Sequence, residues 1–554
     1  GYHLVCDACN DEAVRTLRDR KRRPHKPLAV MFPMVGGDGL AAVRRHLALD
    51  EVASEALLDP VRPIVLVPLK RHAIAAKAAP TGKSLCGSGI SRELSPNLAP
   101  GLQELGAFLP YSPLHHELLA AFGGPLVATS GNVSGEPVIT VNEQARDRLG
   151  GVADAFLHHD RPIVRPADDP VVRPMAGRAR MIRLGRGVAP LERELPFQLE
   201  QPILATGGHM KSTVALAWDN RVIVSPHIGE LDSPRSNDVF QQVINDLQKL
   251  YKVKYDSIVC DLHPGYASTR WAEQDGSPVM QVQHHAAHAS ALAGEHPDVE
   301  DWLVFTWDGV GYGGDGTLWG GEALHGAPGR WRRAASFRPF RLVGGDKAGR
   351  EPRRSAAALV WEDEPGHTPA GPADEALRLA REGWRRGLNT FETSAAGRLF
   401  DAAAALVLGR SAASFEGQGP MELEQVAELP AEAVELPLGS DEDGVLRADW
   451  APLQPMLRSA SMTRSARAGA FHETMAQTMV AQARAVVKRG GFAAIGFSGG
   501  VVQNRLLSER AAYLLRQAGF DVRLHRDIPA NDGGLSFGQV IEAAAMMRDN
   551  SPDR

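Results

Sequence analysis

At 554 residues the chain predicts several domains, roughly three or four by length, and its 44% hydrophobic and 23% charged content is that of a folded, soluble protein. Its formal net charge of −5 argues against nonspecific nucleic-acid binding, and no apolar run approaches the ~20 residues of a membrane span. No secretory leader is visible, and four cysteines (Cys6, Cys9, Cys86 and Cys260) are too few for a disulfide framework, which points to a reducing, cytoplasmic compartment.

In chain order, Gly1 runs straight into the apolar segment HLVC, as expected of a segment cut from a longer protein. Cys6 and Cys9 form a CxxC with no second pair, so they read as two free thiols near a strand end. Residues 1–185 alternate short apolar strands (HLVC, PLAVMF, PIVLVPL, PLVAT, ARMIRL) with amphipathic helices at 10–20, capped by Asn10, at 38–48 and at 113–122. That alternation predicts an α/β domain with a twisted sheet. Residues 186–202 carry prolines and charges without period and read as a linker.

A second α/β region, 203–554, opens with two strands around a glycine turn that carries Lys211. A helix at 236–251, the strand DSIVCDL, a histidine helix and a hairpin at Asp308 follow. From about 350 the pattern is helical, at 353–361, 374–386, 394–408 and 465–489, and then returns to α/β. Residues 363–373 and 416–456 are rich in Pro, Gly and acids and read as surface insertions. Two glycine-turn hairpins, 206–217 and 308–319, suggest a duplicated architecture.

Three motifs in the first region carry chemistry. KRRPHKP sets Lys21, Arg23 and Lys26 between a helix end and a strand, where cations can neutralise a triphosphate. ATSGNVSGEP puts Thr129, Ser130 and Asn132 directly after a strand, where hydroxyls and amides meet ligands. DRPIVRPADDPVVR adds Arg165 with Asp168 and Asp169 in a mixed-charge loop.

The second region is organised around residues 281–322. His284 and His288 lie four apart on one helix face, the spacing of two ligands to one divalent metal. His285 and His288 lie three apart and can converge too, so helical geometry leaves both pairings open, alongside a plain polar face. Asp308 follows an apolar strand and precedes a glycine-dense loop with Gly311 and Gly313, a setting that holds Mg2+ or phosphate. Gly499 and Gly500 precede a helix opening near Asn504, where backbone amides favour an anion. Asp532 before two glycines offers a third metal ligand, and Asp401 is a further placed carboxylate. Four glycine turns with a histidine pair and these carboxylates point to a nucleotide–metal site.

Residues 1–185 resemble the YrdC family of adenylate-forming domains, through Lys21, Arg23 and Lys26 in one motif and Ser130 and Asn132 in the other. The resemblance implies that the cations grip phosphates, with Lys21 and Arg23 catalytic, while Ser130 and Asn132 hold the nucleotide or acyl group. Thr129 and Arg165 join that nucleotide set. Residues 200–554 resemble the carbamoyltransferase and tRNA threonylcarbamoyl-transferase branch of the actin-like ATPase superfamily. That implies two duplicated ribonuclease-H-like lobes with a helical insertion, and metal ligands His284, His288 and Asp532. Asp308 would face the metal or the phosphates. By the same resemblance Gly311, Gly313, Gly397, Asp401, Gly499, Gly500 and Asn504 would contact nucleotide, and Lys211 and Asp308 would be catalytic. The tRNA-modifying members carry His-x-Glu-Gly-His, whereas this chain has HHAAH, which points away from tRNA.

The order of the two regions, with VQHHAAH, FTWDGVGYGGDGTLWGGE, GGDKAGREPRR, SAAGRLFDAAAAL and FSGGVVQN, resembles the HypF family of hydrogenase-maturation carbamoyltransferases. That implies ATP, Mg2+ and one divalent transition metal, zinc or iron. It also implies carbamate or carbamoyl phosphate as donor, the C-terminal cysteine of HypE as acceptor, and neither membrane nor nucleic acid as partner. The family's acylphosphatase-like domain and paired zinc fingers are not within these residues, so the chain is expected to use carbamate better than carbamoyl phosphate. The alternative is carbamoyl or threonylcarbamoyl transfer to a small molecule or tRNA.

Overall fold

The computed structural model describes residues 1–70, 93–132, 135–366 and 375–549. Cys86, residues 133 and 134 of the second motif, and residues 367–373 of the expected insertion lie outside these. The chain divides into two compact units, not the three or four that length suggests. One holds residues 1–189 with 226–228 and 232–239, and the other holds the rest.

The first unit is built on a mixed seven-stranded sheet. Its order runs His3–Asp7, Leu126–Ser130, Val30–Met31, Glu104–Phe108, Ile64–Pro68, Val171–Met175 and Arg178–Arg183. The helix Asp11–Lys21 forms because Asn10 accepts from the Glu12 and Ala13 amides at 3.1 and 3.2 Å, with acids in its first turn and bases in its last. It ends at Arg22, whose positive φ of 53° turns the chain sharply and leaves Lys21 as the last helical residue.

The second unit contains the same sheet twice. In the first lobe Arg221–Val224, Ala215–Trp218 and Ile203–Ala205 pair antiparallel, and Ser257–Asp261 and Val279–Val282 add in parallel. In the second lobe Arg332–Phe337, Leu318–Gly326 and Trp302–Tyr312 pair antiparallel, and Ala494–Ser498 and Val522–Leu524 add in parallel. Each lobe's last strand leads into a helix: His284–Glu295, hereafter the histidine helix, and Leu535–Asp549.

These helices change places. The histidine helix packs Ala289, Leu292 and Ala293 against Trp302, Val304 and Ala494 of the second lobe. Leu535–Asp549 packs on the first lobe, where Gln539 exchanges hydrogen bonds with both backbone groups of Gly207, at 2.8 and 3.2 Å. The two helices also touch each other closely. A Cβ on Gly538 would lie 1.9 Å from the Ala287 carbonyl oxygen, so only glycine fits.

Two expectations fail here. Residues 186–202 are not a plain linker, because Leu191–Glu194 pairs with Arg221–Val224 at the edge of the first lobe. Its sequence, LERE, alternates half-buried and exposed residues as an edge strand does. Residues 416–456 are not surface insertion. Gln418–Val426 buries Leu423, the strands Leu438–Ser440 and Leu446–Ala448 extend the second sheet, and Trp450 is fully buried with its indole N–H donating to the Arg338 carbonyl at 2.8 Å.

Candidate functional site

The histidine helix begins where Val279–Val282 ends. Gln283 caps it by accepting from the Ala286 amide at 2.7 Å, so His284 is its first residue and His288 lies one turn on. Asp308 sits at a register break in Trp302–Tyr312, between Trp307 and Gly311, where a bulge re-aims the side chain. Asp532 opens the short turn before Leu535–Asp549. The histidine helix, the hairpin and the turn that opens the other swapped helix therefore deliver side chains to one point.

One ligand atom from each of His284, His288, Asp308 and Asp532 lies within 4.8 Å of every other. His284 Nε2 is 3.5 Å from Asp308 Oδ2, and His288 Nε2 is 3.8 Å from the same oxygen and 3.7 Å from Asp532 Oδ1. Both Nε2 atoms are buried with no hydrogen-bond partner among the described residues. Two orphaned imidazole nitrogens converging with two carboxylates fit a divalent transition metal, and the nitrogen–oxygen donor set suits zinc and iron alike.

Charges across the cluster are locked together. Burial works against both histidine charges, yet Asp261 and Asp308 hold His284 protonated well above its usual range, and Asp308 and Asp532 raise His288. Asp308 sits well below the carboxylate range because His284 and His288 outweigh its burial. His285 goes the other way. Burial and its two histidine neighbours keep it neutral, its Nδ1 faces Gln283 at 3.2 Å, and its Nε2 lies 4.0 Å from Glu322.

The expected glycines bring backbone close to this cluster. A Cβ on Gly311 would lie 2.6 Å from the rings of both His284 and His285. Gly397 abuts Gly309 and the Asp308 carbonyl, Gly313 lies against Trp319, and Gly499 lies against the Trp307 backbone. The Gly500 amide, expected to await an anion, donates to Asp308 Oδ1 at 2.8 Å and so fixes the carboxylate. Asn504, expected at nucleotide, caps its helix: it accepts from the Leu507 amide at 2.9 Å and faces His472 Nε2 at 2.9 Å. Lys211 is partly exposed and pairs with Glu416 at 2.6 Å; desolvation works against its charge, yet Glu416, Asp532 and Asp308 raise its ammonium above the usual lysine range. Asp401 is pushed up to about 6 by burial, against the nearby Arg398 at 2.9 Å.

In the first unit the two motifs meet. Lys21 donates to the Ser130 carbonyl and, at 2.9 Å, to Asn132 Oδ1, which also accepts from Ser130 Oγ at 2.8 Å. Arg23 reaches Thr129 Oγ1 at 3.3 Å. Lys21 is 5% exposed, and burial plus the Arg23 guanidinium push its ammonium down to about 7. Arg23 falls to about 10 through burial and Arg18. This cluster is short of negative charge. Lys26 and Arg165, expected at the same nucleotide, are both exposed, and Asp168 lies 3.8 Å from Arg183.

Sequence reasoning missed three contributors. Asp261 Oδ2 is 2.7 Å from His284 Nδ1, and this buried partner turns His284 Nε2 toward Asp308. Arg18 donates to the carbonyls of Arg23, Pro24, Lys26, Asn97 and Leu98, which shapes the cationic loop. Glu322 is fully buried and bound by Ser336, Ser394 and Arg333 behind the hairpin. The first two are single residues on regular elements, with no local motif to mark them.

Known proteins match along the whole chain. A family model described as a carbamoyltransferase, Kae1-like domain, second subdomain, covers residues 304–539, and one described as a HypF Kae1-like domain covers 198–295. A Sua5/YciO/YrdC model, described as telomere recombination, covers 1–185. The carbamoyltransferase HypF of Rhodobacter capsulatus is 40% identical over 99% of this chain and 71% of its own length. That of Synechocystis sp. is 36% identical over 98% of this chain and 70% of its own. A crystal structure of full-length HypF in a phosphate- and nucleotide-bound form superposes with a TM-score of 0.89 at 33% identity, covering 99% of this chain and 70% of that one.

Proposed function

The chain belongs to the HypF carbamoyltransferase family, and from that premise we propose that it activates carbamate with ATP and passes the carbamoyl group to a protein thiol. It is a carbamoyltransferase that joins a YrdC-like domain to Kae1-like domains. In the first step, carbamate oxygen attacks the α-phosphorus of ATP, giving carbamoyl-adenylate and pyrophosphate. In the second, a thiol sulfur attacks the carbamoyl carbon, AMP leaves, and the thiol proton is released. The acceptor we assign is the C-terminal cysteine of HypE, whose thiocarbamate leads to the cyanide ligands of nickel–iron hydrogenase. Domain boundaries at 1–185 and 203–554 and a cytoplasmic location belong to the same reading.

One observation carries it: among the described residues, the chain holds both a cation cluster whose Lys21 and Arg23 hydrogen-bond only to neutral oxygens and a buried imidazole–carboxylate cluster with two unpartnered ring nitrogens. Lys21 and Arg23 would take the triphosphate and stabilise charge as pyrophosphate departs. Thr129, Ser130 and Asn132 would hold the nucleotide or acyl end, with Mg2+ carried in on ATP. In the second unit His284, His288, Asp308 and Asp532 would hold zinc or iron. When bound, that ion supplies a Lewis acid that polarises an acyl or phosphoryl oxygen. Asp261 keeps His284 oriented, the Gly500 amide holds Asp308, and Lys211 offers a cation for the departing phosphate.

The test is direct. The protein incubated with ATP and carbamoyl phosphate, or with ATP and bicarbonate-derived carbamate, should yield carbamoyl-adenylate by mass spectrometry. Adding HypE should then give a thiocarbamate on its C-terminal cysteine. Adenylate with no thiocarbamate would overturn the acceptor, and no adenylate from either donor would overturn the activation step.

A further inference from the structure

The histidine helix ends at Glu295, whose side chain is 4% exposed. A carboxylate at a helix C-terminus opposes the helix dipole, so its burial there needs partners. Among the described residues, its hydrogen-bond partners come from one short segment. Oε2 accepts from His525 Nδ1 at 2.8 Å and the Arg526 amide at 3.0 Å; Oε1 accepts from the Asp527 and Ile528 amides at 2.7 and 3.1 Å. The next residue, His296, places Nε2 3.1 Å from the Leu524 carbonyl. On its far side His525 Nε2 meets Ser498 Oγ at 2.9 Å.

That segment leads to a metal-ligand candidate. Beyond Ile528, the Ala530 carbonyl accepts from the Gly499 amide at 2.7 Å. Asn531 Oδ1 then accepts from the Gly533 amide at 2.9 Å, and Asp532 opens the turn. A single helix thus contributes at both ends. Its first two turns present His284 and His288, and its last residue grips the loop that presents Asp532 from the other lobe.

We propose that Glu295 is a positioning residue for Asp532: by fixing the backbone of residues 525–528 it sets the distance between Asp532 and the two histidines. This rests on the metal reading of the cluster. Glu295 hydrogen-bonds none of the four candidate ligands among the described residues, and its partners lie on residues 525–528. Replacing it with glutamine keeps the size but presents an amide N–H₂ to backbone donors, which leaves at least one N–H facing another donor.

The experiment is a double-mutant cycle read as zinc affinity, by competition with a chromophoric chelator. Glu295→Gln should bind zinc roughly 10- to 100-fold more weakly than the wild type. In an Asp532→Ala background the same substitution should change zinc affinity less than about 2-fold, because the residue it positions is gone. Equal losses in both backgrounds would mean general loosening and would overturn the proposal, as would an unchanged affinity in the single variant. Where Glu295→Gln does not fold, Glu295→Asp carries the same cycle with a carboxylate set back by one methylene. A wild-type protein that binds neither zinc nor iron would overturn the metal reading and this inference with it; wild-type binding that Glu295→Gln matches would overturn this inference alone.

Discussion

The two clusters are electrostatic opposites. In the first unit Lys21, Arg23 and Arg18 bury positive charge, and the cost appears as lysine and arginine affinities for protons that fall to about 7 and about 10. In the second, Asp308 and Asp532 face His284 and His288, whose Nε2 atoms have no hydrogen-bond partner among the described residues. Buried polar groups are almost always satisfied, so the two unpartnered imidazole nitrogens point to a cation, whereas Lys21 and Arg23 hydrogen-bond only to neutral oxygens, which leaves their charge for an anion to balance. One cluster calls for a polyanion and the other for a cation.

The sharpest way to break it is to remove the nitrogen donors. His284→Ala or His288→Ala should lose the bound metal, whereas His285→Ala should keep it, because His285 Nε2 faces Glu322 and not the carboxylate pair. Metal content per purified chain decides the point; full occupancy in either of the first two variants would sink the ligand assignment. On the other cluster Lys21→Ala should cut carbamate-dependent pyrophosphate–ATP exchange by about 10²- to 10³-fold, the usual loss for one charge-stabilising donor. Metal content should not change. Exchange at the wild-type rate would remove Lys21 from phosphate binding.

A smaller effect tests why one histidine was selected. Asp261→Asn keeps the shape of the Asp261–His284 pair but removes the charge that holds His284 Nδ1–H in place. Zinc affinity should fall roughly 10- to 100-fold while stoichiometry at saturation stays the same. Wild-type affinity would show that the helix alone orients the ring.

That choice also marks where local sequence stops being informative. Spacing along the helix left His284 and His285 equivalent, and only the family resemblance preferred His284. The physical discriminator, Asp261, lies on a neighbouring parallel strand, paired with Val282. No local pattern links residue 261 to 284. The cationic loop was legible because Lys21, Arg23 and Lys26 are contiguous, yet Arg18, which gathers its carbonyls, looked like any charged helix residue. The duplicated lobes showed through paired glycine hairpins, while the exchange of their final helices depends on contacts such as Gln539 with Gly207. Edge strands were the weakest signal. LERE at 191–194 lacks an apolar face, and Leu438–Ser440 and Leu446–Ala448 are too short to show a period.

The subtlest consequence of the opposition is a proton. Burial and Arg23 bring free Lys21 to about 7, against a smaller opposing pull from Asp168. At pH 8 about a tenth of free Lys21 would then be charged. The sign for stability follows from its lowered proton affinity. The unfolded chain keeps the lysine proton up to its usual value near 10.5, so between about 7 and 10 it binds more protons than the fold, and Lys21's contribution to stability grows as pH rises. Nucleotide reverses the local balance, because phosphate oxygens against the ammonium favour its charged form. ATP binding at pH 8 should therefore take up close to one proton per site, and at pH 6 almost none. Titration calorimetry at pH 8 in two buffers of different ionisation enthalpy measures the uptake. Lys21→Arg, charged throughout this range, should abolish the buffer dependence. Identical binding enthalpies in both buffers for the wild-type protein would show that Lys21 is already charged before nucleotide arrives, and the first cluster would lose its claim to be short of anions.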